Sequence, residues 1–239
     1  MKAIIIAGGR GERLKPITDN IPKPMVSIKG QPILLHTINL LKKHGINDFI
    51  ITLCYLPNVI TNFFGDGSRF GINIMYTYED PKKPMGTAGA ISPAKEFLDD
   101  TFIVTYGDIL RDLDIKKMID FHKKNTTFAT INVYRRLSKG AKSMIIVKNK
   151  KIVKFIERPN AKDLMGEYIW SNGSFYIFEP GIFDFISNNE TVDFGSDIFP
   201  KIVLSEKVYA YPTTGYFVDI GDLKKLTIAR KTFKILSSK

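Results

Sequence analysis

The sequence predicts an α/β fold, a mostly parallel mixed sheet flanked by helices and continued by a second, strand-rich lobe. Three observations lead there. Ala3 to Ala7 form an apolar run too short for an amphipathic helix and closed by glycines, which reads as a strand buried on both faces in mid-sheet. Strand-like and helix-like segments then alternate as far as Asn125, the pattern that yields parallel strands with right-handed crossovers. From Phe128 onward the texture changes to strand after strand. No Ser/Gly-rich or Pro-rich tract separates the halves. Residues 1–239 therefore read as one domain, with a first lobe over about 1–125, a second over about 126–220 and a closing helix over about 222–237.

The first strand opens into Gly8, Gly9 and Gly11, where the missing Cβ atoms let the chain turn sharply and present successive backbone N–H groups to an anion. Arg13, Lys15 and Lys23 add cations to the same loop, while Pro16, Pro22 and Pro24 stiffen it and keep it from becoming a helix. Such a loop suits a triphosphate. Pro32 starts a helix in which Ile33, Leu34, Ile38 and Leu41 recur at helical spacing until His44 and Gly45 close it. Phe49–Leu53 reads as the second strand, Pro57–Phe64 as a short helix ended by Gly65 and Gly67, and Ile72–Tyr78 as the third strand. Small residues at Gly86-Thr87-Ala88-Gly89-Ala90 mark a loop-to-helix junction that Thr87 can cap. Thr101–Tyr106 is a β-branched and aromatic strand running into Gly107-Asp108, so a carboxylate lands where ligands of such sheets gather.

A helix over Asp114–Asn125 leads to the second lobe. Phe128–Tyr134 begins it, Met144–Val147 and Ile152–Ile156 form a hairpin about the turn at Lys148-Asn149-Lys150-Lys151, and Tyr168–Phe178 continues it. Asp193-Phe194-Gly195-Ser196-Asp197 reads as the N-cap of a helix over Ile198–Leu204. Tyr216 to Asp222 then supplies a second strand-end carboxylate, Asp219. Asp222 reads as the N-cap of the last helix, with Leu226, Ile228, Ala229, Phe233 and Leu236 on its apolar side and Lys224, Lys225, Arg230, Lys231 and Lys234 on a solvated face.

Composition narrows the function. The 35 Lys and Arg outnumber the 24 Asp and Glu, giving a formal charge of +11 that attracts anions such as phosphorylated substrates. The basic residues are scattered and no nucleic-acid-binding motif appears, so nucleic acid is not an expected partner. A generally lysine-rich proteome would give the same balance. Cys54 is the only cysteine, which excludes an internal disulfide or a multi-cysteine metal site and points to a reducing cytoplasm. The N-terminus is too short in apolar residues for a signal peptide, and no run approaches a membrane span. His36, His44 and His122 lack ligand spacing and read as surface or helix-end residues.

Two glycine motifs fail at the first loop. There is no Gly-Lys-Ser/Thr anywhere, which excludes a P-loop. The dinucleotide fingerprint requires a glycine where Leu14 stands, and Pro16 blocks its helix. Ala7 to Pro24, AGGRGERLKPITDNIPKP, instead resembles the signature of the sugar-phosphate nucleotidyltransferases, approximately AGGxGTRLxPLTxxxPKP, with Glu12 for Thr and Ile17 for Leu as departures. The resemblance covers residues 1 to about 230 and the catalytic domain alone, since no hexapeptide repeats of a left-handed β-helix follow.

The resemblance implies a Rossmann-like fold and the condensation of a nucleoside triphosphate with a sugar 1-phosphate, releasing pyrophosphate. It implies that Ala7, Gly8, Gly9, Gly11 and Gly107 bind nucleotide, that Arg13, Lys23 and Asp108 are catalytic, and that Asp108 and Asp219 hold Mg²⁺. Gly86, Thr87 and Ala88 resemble the family's base-reading segment, in a Gly-Thr-Ala-Gly form seen in mannose- and heptose-1-phosphate guanylyltransferases, which leans to GTP. Glu157-Arg158-Pro159 stands where the family has Glu-Lys-Pro, so Glu157 is expected on sugar hydroxyls and Arg158 on the sugar's phosphate; Asn172 of Asn172-Gly173 resembles a sugar-contacting Asn. Ser143-Met144 stands near the family's Tyr-Gly pair. UTP, dTTP or CTP with glucose 1-phosphate, and a catalytically silent binding subunit, remain as alternatives, with a monomer or homodimer as the expected state.

Overall fold

The structure is a computed structural model that describes residues 1–164, 166–187 and 190–234. In chain order its elements are β1 (Lys2–Ile6), β2 (Ser27–Ile28), β3 (Gln31–Pro32), α1 (Ile33–Lys43), β4 (Asp48–Leu53), α2 (Pro57–Phe64), β5 (Asn73–Tyr78), α3 (Gly86–Gly89), β6 (Phe102–Tyr106), β7 (Ile109–Arg111), α4 (Ile115–Asn125), β8 (Ala129–Leu137), β9 (Ser143–Lys148), β10 (Lys151–Glu157), β11 (Tyr168–Phe178), α5 (Phe199–Ser205), β12 (Val208–Thr213), β13 (Phe217–Asp219) and α6 (Leu223–Thr232). The fold is the expected mixed α/β one, with a central sheet flanked by helices. The first lobe's segments fall within about a residue of the sequence reading, whereas the strand begun at Phe128 runs on to Leu137. The last helix stops at Thr232 rather than near 237, and Leu236 lies outside the described residues.

The chain divides into two compact units that interleave in sequence. The first comprises Met1–Pro84, Thr105–Ile115 and the chain from Gly215; the second comprises Met85–Val104 and Lys116–Thr214. In the first unit the strands run β5-β4-β1, all parallel, with Ile4 opposite Ile50 and Ile50 opposite Met75. Ala3, Ile4, Ile5, Ile51 and Leu53 are fully buried, as apolar strands covered on both faces must be. In the second unit the order is β6-β11-β8-β12-β10-β9. This part is mixed: β11 and β8 are antiparallel, β12 and β8 parallel, and β10 is antiparallel to both β12 and β9. Its core is aromatic, with Phe194 stacked on Phe178 at 5.4 Å and on Phe199 at 5.5 Å, and Tyr176 edge-on to Phe199 at 5.0 Å.

Two histidines depart from the surface reading. His36 is buried on α1, with Nε2 on the Ile28 carbonyl at 2.8 Å and its ring against Phe233. His122 is only 2% exposed: Nδ1 meets the hydroxyls of Thr130 and Thr127, each at 2.8 Å, and Nε2 meets Glu179 Oε1 at 2.9 Å. Scattered spacing carries no information on burial, and helix periodicity puts both on inward faces. His44 does end α1, as expected.

Burial pushes all three imidazoles below their ordinary range, although at His122 the Glu179 carboxylate pulls the other way. The folded protein therefore binds fewer histidine protons than the unfolded chain. Stability is whole above the unfolded histidine value of about 6.5 and falls as pH drops through it toward the lowered folded values. Thermal melts between about pH 7.5 and about pH 5.5 should record that loss, with a shallower slope for His36→Gln; an unchanged slope in the variant would refute the assignment to His36.

Candidate active site

The glycine loop lies at the carboxyl end of β1. Ala7 is buried and its N–H extends the ladder to the Thr52 carbonyl at 3.0 Å, after which the chain leaves the sheet. Among the described residues nothing accepts a hydrogen bond from the N–H groups of Gly8, Gly9 or Gly11. Gly11 has φ of 70°, and a Cβ there would stand 3.0 Å from both Lys23 Cβ and Thr18 Cγ2, so only glycine lets the loop close on the Lys23 stem. Thr18 Oγ1 seals the closure by donating to the Gly11 carbonyl at 2.9 Å. The prolines do prevent an α-helix, but the loop is not irregular throughout: it makes three short 3₁₀ turns, at Glu12–Leu14, Ile17–Asp19 and Lys23–Met25.

Asp108 and Asp219, far apart in sequence, meet through a two-stranded antiparallel ribbon. β7 pairs with β13 so that Phe217 faces Arg111, Val218 faces Leu110 and Asp219 faces Ile109, and the Ile220 N–H reaches the Asp108 carbonyl at 3.3 Å. Gly107 precedes the ribbon, buried, with its N–H on the Ile6 carbonyl at 3.0 Å; a Cβ would press on Leu34, Pro24 and Ile5 at 3.2–3.4 Å. Its bareness lets Asp108 sit directly over β1, α1 and the loop.

Lys23 stands between the two carboxylates. Its Nζ pairs with Asp108 Oδ2 and lies 3.6 Å from Asp219 Oδ1, with only 12% of the side chain exposed. Burial by itself would lower the Lys23 pKa; the Asp108 and Asp219 charges outweigh it and hold the ammonium above its usual value. Arg13 approaches from the loop, its Nη2 3.1 Å from where a Gly221 Cβ would be. Lys225 Nζ lies 3.8 Å from Asp219 Oδ2. The sequence pattern predicts Lys225 on the solvated face of the last helix. The missed signal is its place at the helix start, where side chains lean back over the preceding turn, here the turn carrying Asp219. Asp222 caps that helix as expected, accepting from the Lys225 N–H at 2.8 Å.

These elements share one apolar floor: Leu14, Val26 and Ile28 from the loop region, Ile33 from α1, Leu110 from β7, Ile220 just past β13, Leu226 and Ala229 from the last helix and Phe233 at its end. Burying them together fixes the charged groups above them.

In the second unit, Gly86, Thr87 and Ala88 form the single turn α3, and Thr87 sits inside it rather than capping it. Both Thr87 N–H and Oγ1 donate to Asp193 Oδ1, at 2.8 and 2.9 Å, and Thr87 Oγ1 accepts from the Phe194 N–H. Asp193 flanks the next helical segment as expected, but its carboxylate serves Thr87 and makes no side-chain cap. Glu157 is half-buried, and burial raises its pKa while Arg158 and Lys142 pull it back and Asp193 adds to the rise. Glu157 pairs in register with Ser143, whose hydroxyl accepts from the Asn172 N–H at 2.9 Å, so Glu157, Arg158 and Asn172 belong to one neighbourhood. The Asn172 amide is partly engaged, donating to Tyr176 Oη and accepting from the Ser174 N–H.

Residues 2–234 match the nucleotidyl transferase family profile. The chain belongs to the nucleotidyl transferase family. It is 36% identical over 235 residues to a UTP–glucose-1-phosphate uridylyltransferase of Synechocystis, covering 92% of this chain and 60% of that protein. It is 33% identical over 231 residues to a mannose-1-phosphate guanyltransferase of Yarrowia lipolytica, covering 94% of this chain and 61% of that protein. The chain thus spans about three-fifths of the length of these curated relatives. Among solved structures, HddC from Yersinia pseudotuberculosis superposes with a TM-score of 0.81 at 27% identity, over 98% of this chain and 99% of that one. A Bacillus anthracis structure provisionally described as a glucose-1-phosphate thymidylyltransferase gives 0.87 at 23% identity, over 100% and 97%, a likeness of fold. The contacts of Lys225 with Asp219 and of Asp193 with Thr87 lie outside what motif reading predicts.

Truncating the floor beneath the charges, Leu110→Ala, should lower stability by about 2–5 kcal/mol in denaturant titrations, since the residue is 1% exposed. Gly86→Ala should cost roughly 1–3 kcal/mol, because φ is 77° and the new Cβ would stand 2.6 Å from the Val192 carbonyl oxygen. A stability within error of the parent protein would contradict either.

Proposed function

We propose that this chain is a sugar-1-phosphate nucleotidyltransferase, with Arg13, Lys23 and Asp108 as its catalytic residues. The observation that carries the reading is the convergence of Lys23, Asp108 and Asp219 within one compact unit, beside Arg13 and a loop with unpaired amides. The sugar phosphate is itself an anionic nucleophile, so no base is needed. One of its oxygens bonds to the α-phosphorus while the bond to the β-phosphate oxygen breaks, and pyrophosphate leaves with the electron pair. The obstacle is the meeting of two polyanions. The Gly8, Gly9 and Gly11 amides with Arg13 grip the departing phosphates, and Lys23 holds the α-phosphate and the charge that builds on it.

Asp108 and Asp219 fit Mg²⁺: they present hard carboxylate oxygens around a point that already accommodates the Lys23 ammonium. Among the described residues no set of three His, Cys, Asp or Glu side chains converges, so the protein would supply two carboxylates and the substrate phosphates the remaining oxygens. When bound, the ion supplies neutralising charge to those phosphates. In this reading Ala7 and Gly107 also bind the nucleotide, Gly86, Thr87 and Ala88 read the base, and Glu157, Arg158 and Asn172 take the sugar phosphate.

For substrates we favour GTP with mannose or heptose 1-phosphate, supported by the Gly86–Gly89 form and the similarity to a mannose-1-phosphate guanyltransferase. UTP with glucose 1-phosphate is the second reading, supported by similarity to the uridylyltransferase. We place the protein in the cytoplasm, where a free thiol such as that of the buried Cys54 persists, and expect a monomer or homodimer.

A matrix of nucleoside triphosphates against sugar 1-phosphates, read by phosphate release after pyrophosphatase, should light up one pairing and lose it on chelation of divalent metal. Lys23→Ala should lower turnover there by about 10²–10³-fold. Near-normal turnover would remove the role given to Lys23, and silence across the matrix would favour a binding subunit.

A further inference from the structure

Asp219 has two carboxylate oxygens, and each faces its own ammonium: Oδ1 is 3.6 Å from Lys23 Nζ and Oδ2 is 3.8 Å from Lys225 Nζ. The two lysines differ in how they are held. Lys23 is 12% exposed and is also paired with Asp108, whereas the Lys225 side chain is 39% exposed and, among the described residues, pairs with Asp219. The backbone under Lys225 is nevertheless fixed, since its N–H caps onto Asp222 and the neighbouring Leu226 is buried in the apolar floor. A flexible, half-exposed cation is thus mounted on a rigid base beside the carboxylate.

Two lysines and two aspartates sum to no net charge, and Arg13 alongside adds one positive charge. A divalent ion approaching this set meets little attraction and must displace an ammonium to reach Asp219. The nucleotide changes that balance, because a triphosphate brings acceptors for ammonium groups.

Resting on the reading of Asp108 and Asp219 as metal ligands, we propose that Lys225 is the exchangeable cation of this centre. In the free protein it holds Asp219 and opposes a divalent ion; once phosphates arrive, its ammonium swings onto them and Asp219 is released to the metal. Lys225 is then a positioning residue that makes metal entry depend on nucleotide.

The test is binding of Mn²⁺ to the full chain, followed by the spin resonance of unbound Mn²⁺ with and without a non-hydrolysable nucleoside triphosphate analogue. At low salt and without nucleotide, Lys225→Gln should bind Mn²⁺ about two- to fivefold more tightly than the parent, and Lys225→Arg should match the parent. With the analogue present, Lys225→Gln should bind the nucleotide more weakly than the parent does. Equal Mn²⁺ affinity in the Gln variant, or equal tightening in Gln and Arg variants, overturns the proposal. Asp108→Asn and Asp219→Asn separate it from the reading beneath: if neither weakens Mn²⁺ binding, the metal site itself is wrong. If both weaken it while Lys225→Gln changes nothing, only the role of Lys225 falls.

Discussion

The site depends on the register of a three-residue ribbon. Because Asp219 pairs opposite Ile109, its carboxylate emerges next to that of Asp108, and the Ile220 N–H closes the corner on the Asp108 carbonyl. A slip of one residue would turn Asp219 to the other face and bring Val218 in its place. Register in so short a pairing is not secured by its few hydrogen bonds. It is secured by Leu110 and Ile220, which a one-residue slip would turn away from the apolar floor.

That floor also explains why a loop rich in glycine and proline can hold cations in fixed positions. Leu14 directly follows Arg13 and Val26 lies three residues after Lys23, and both are fully buried, so each charged side chain rises from a backbone anchored close by. Gly11 completes the arrangement by letting the turn press against the Lys23 stem. Rigid support close beneath charged groups is what electrostatic preorganisation requires.

Much of this was legible in the residues. The first strand, the loop and the two strand-end carboxylates follow from apolar runs closed by glycine or aspartate, where local chemistry dictates local structure. Contacts between distant segments were less accessible. Asp193 looks like a helix cap from its neighbours alone, and only the fold brings Thr87 to its carboxylate. Lys225 lies in a run of basic residues on a helix, a pattern dominated by solvated faces, and its approach to Asp219 depends on the ribbon's geometry. His122 was misread for the same reason: the Thr130 and Glu179 partners that make burial tolerable come from other elements. The interleaving of the two units is likewise a property of chain crossings that composition does not record.

The charged cluster has a further consequence for how its members act together. An ammonium as enclosed as that of Lys23 would be costly alone, and two carboxylates this close would repel each other; together they offset one another, with Lys225 balancing the remaining negative charge. Lys23 therefore stabilises the free unit while being assigned to the substrate, and Asp108 holds Lys23 while being assigned to a metal. Replacing one alters the charge felt by the others, so the effects of Lys23, Asp108 and Asp219 substitutions will not add. A double-substitution cycle run on both stability and turnover separates the two duties, because the mutual pairing enters the first measurement and the proposed contact with phosphate enters only the second.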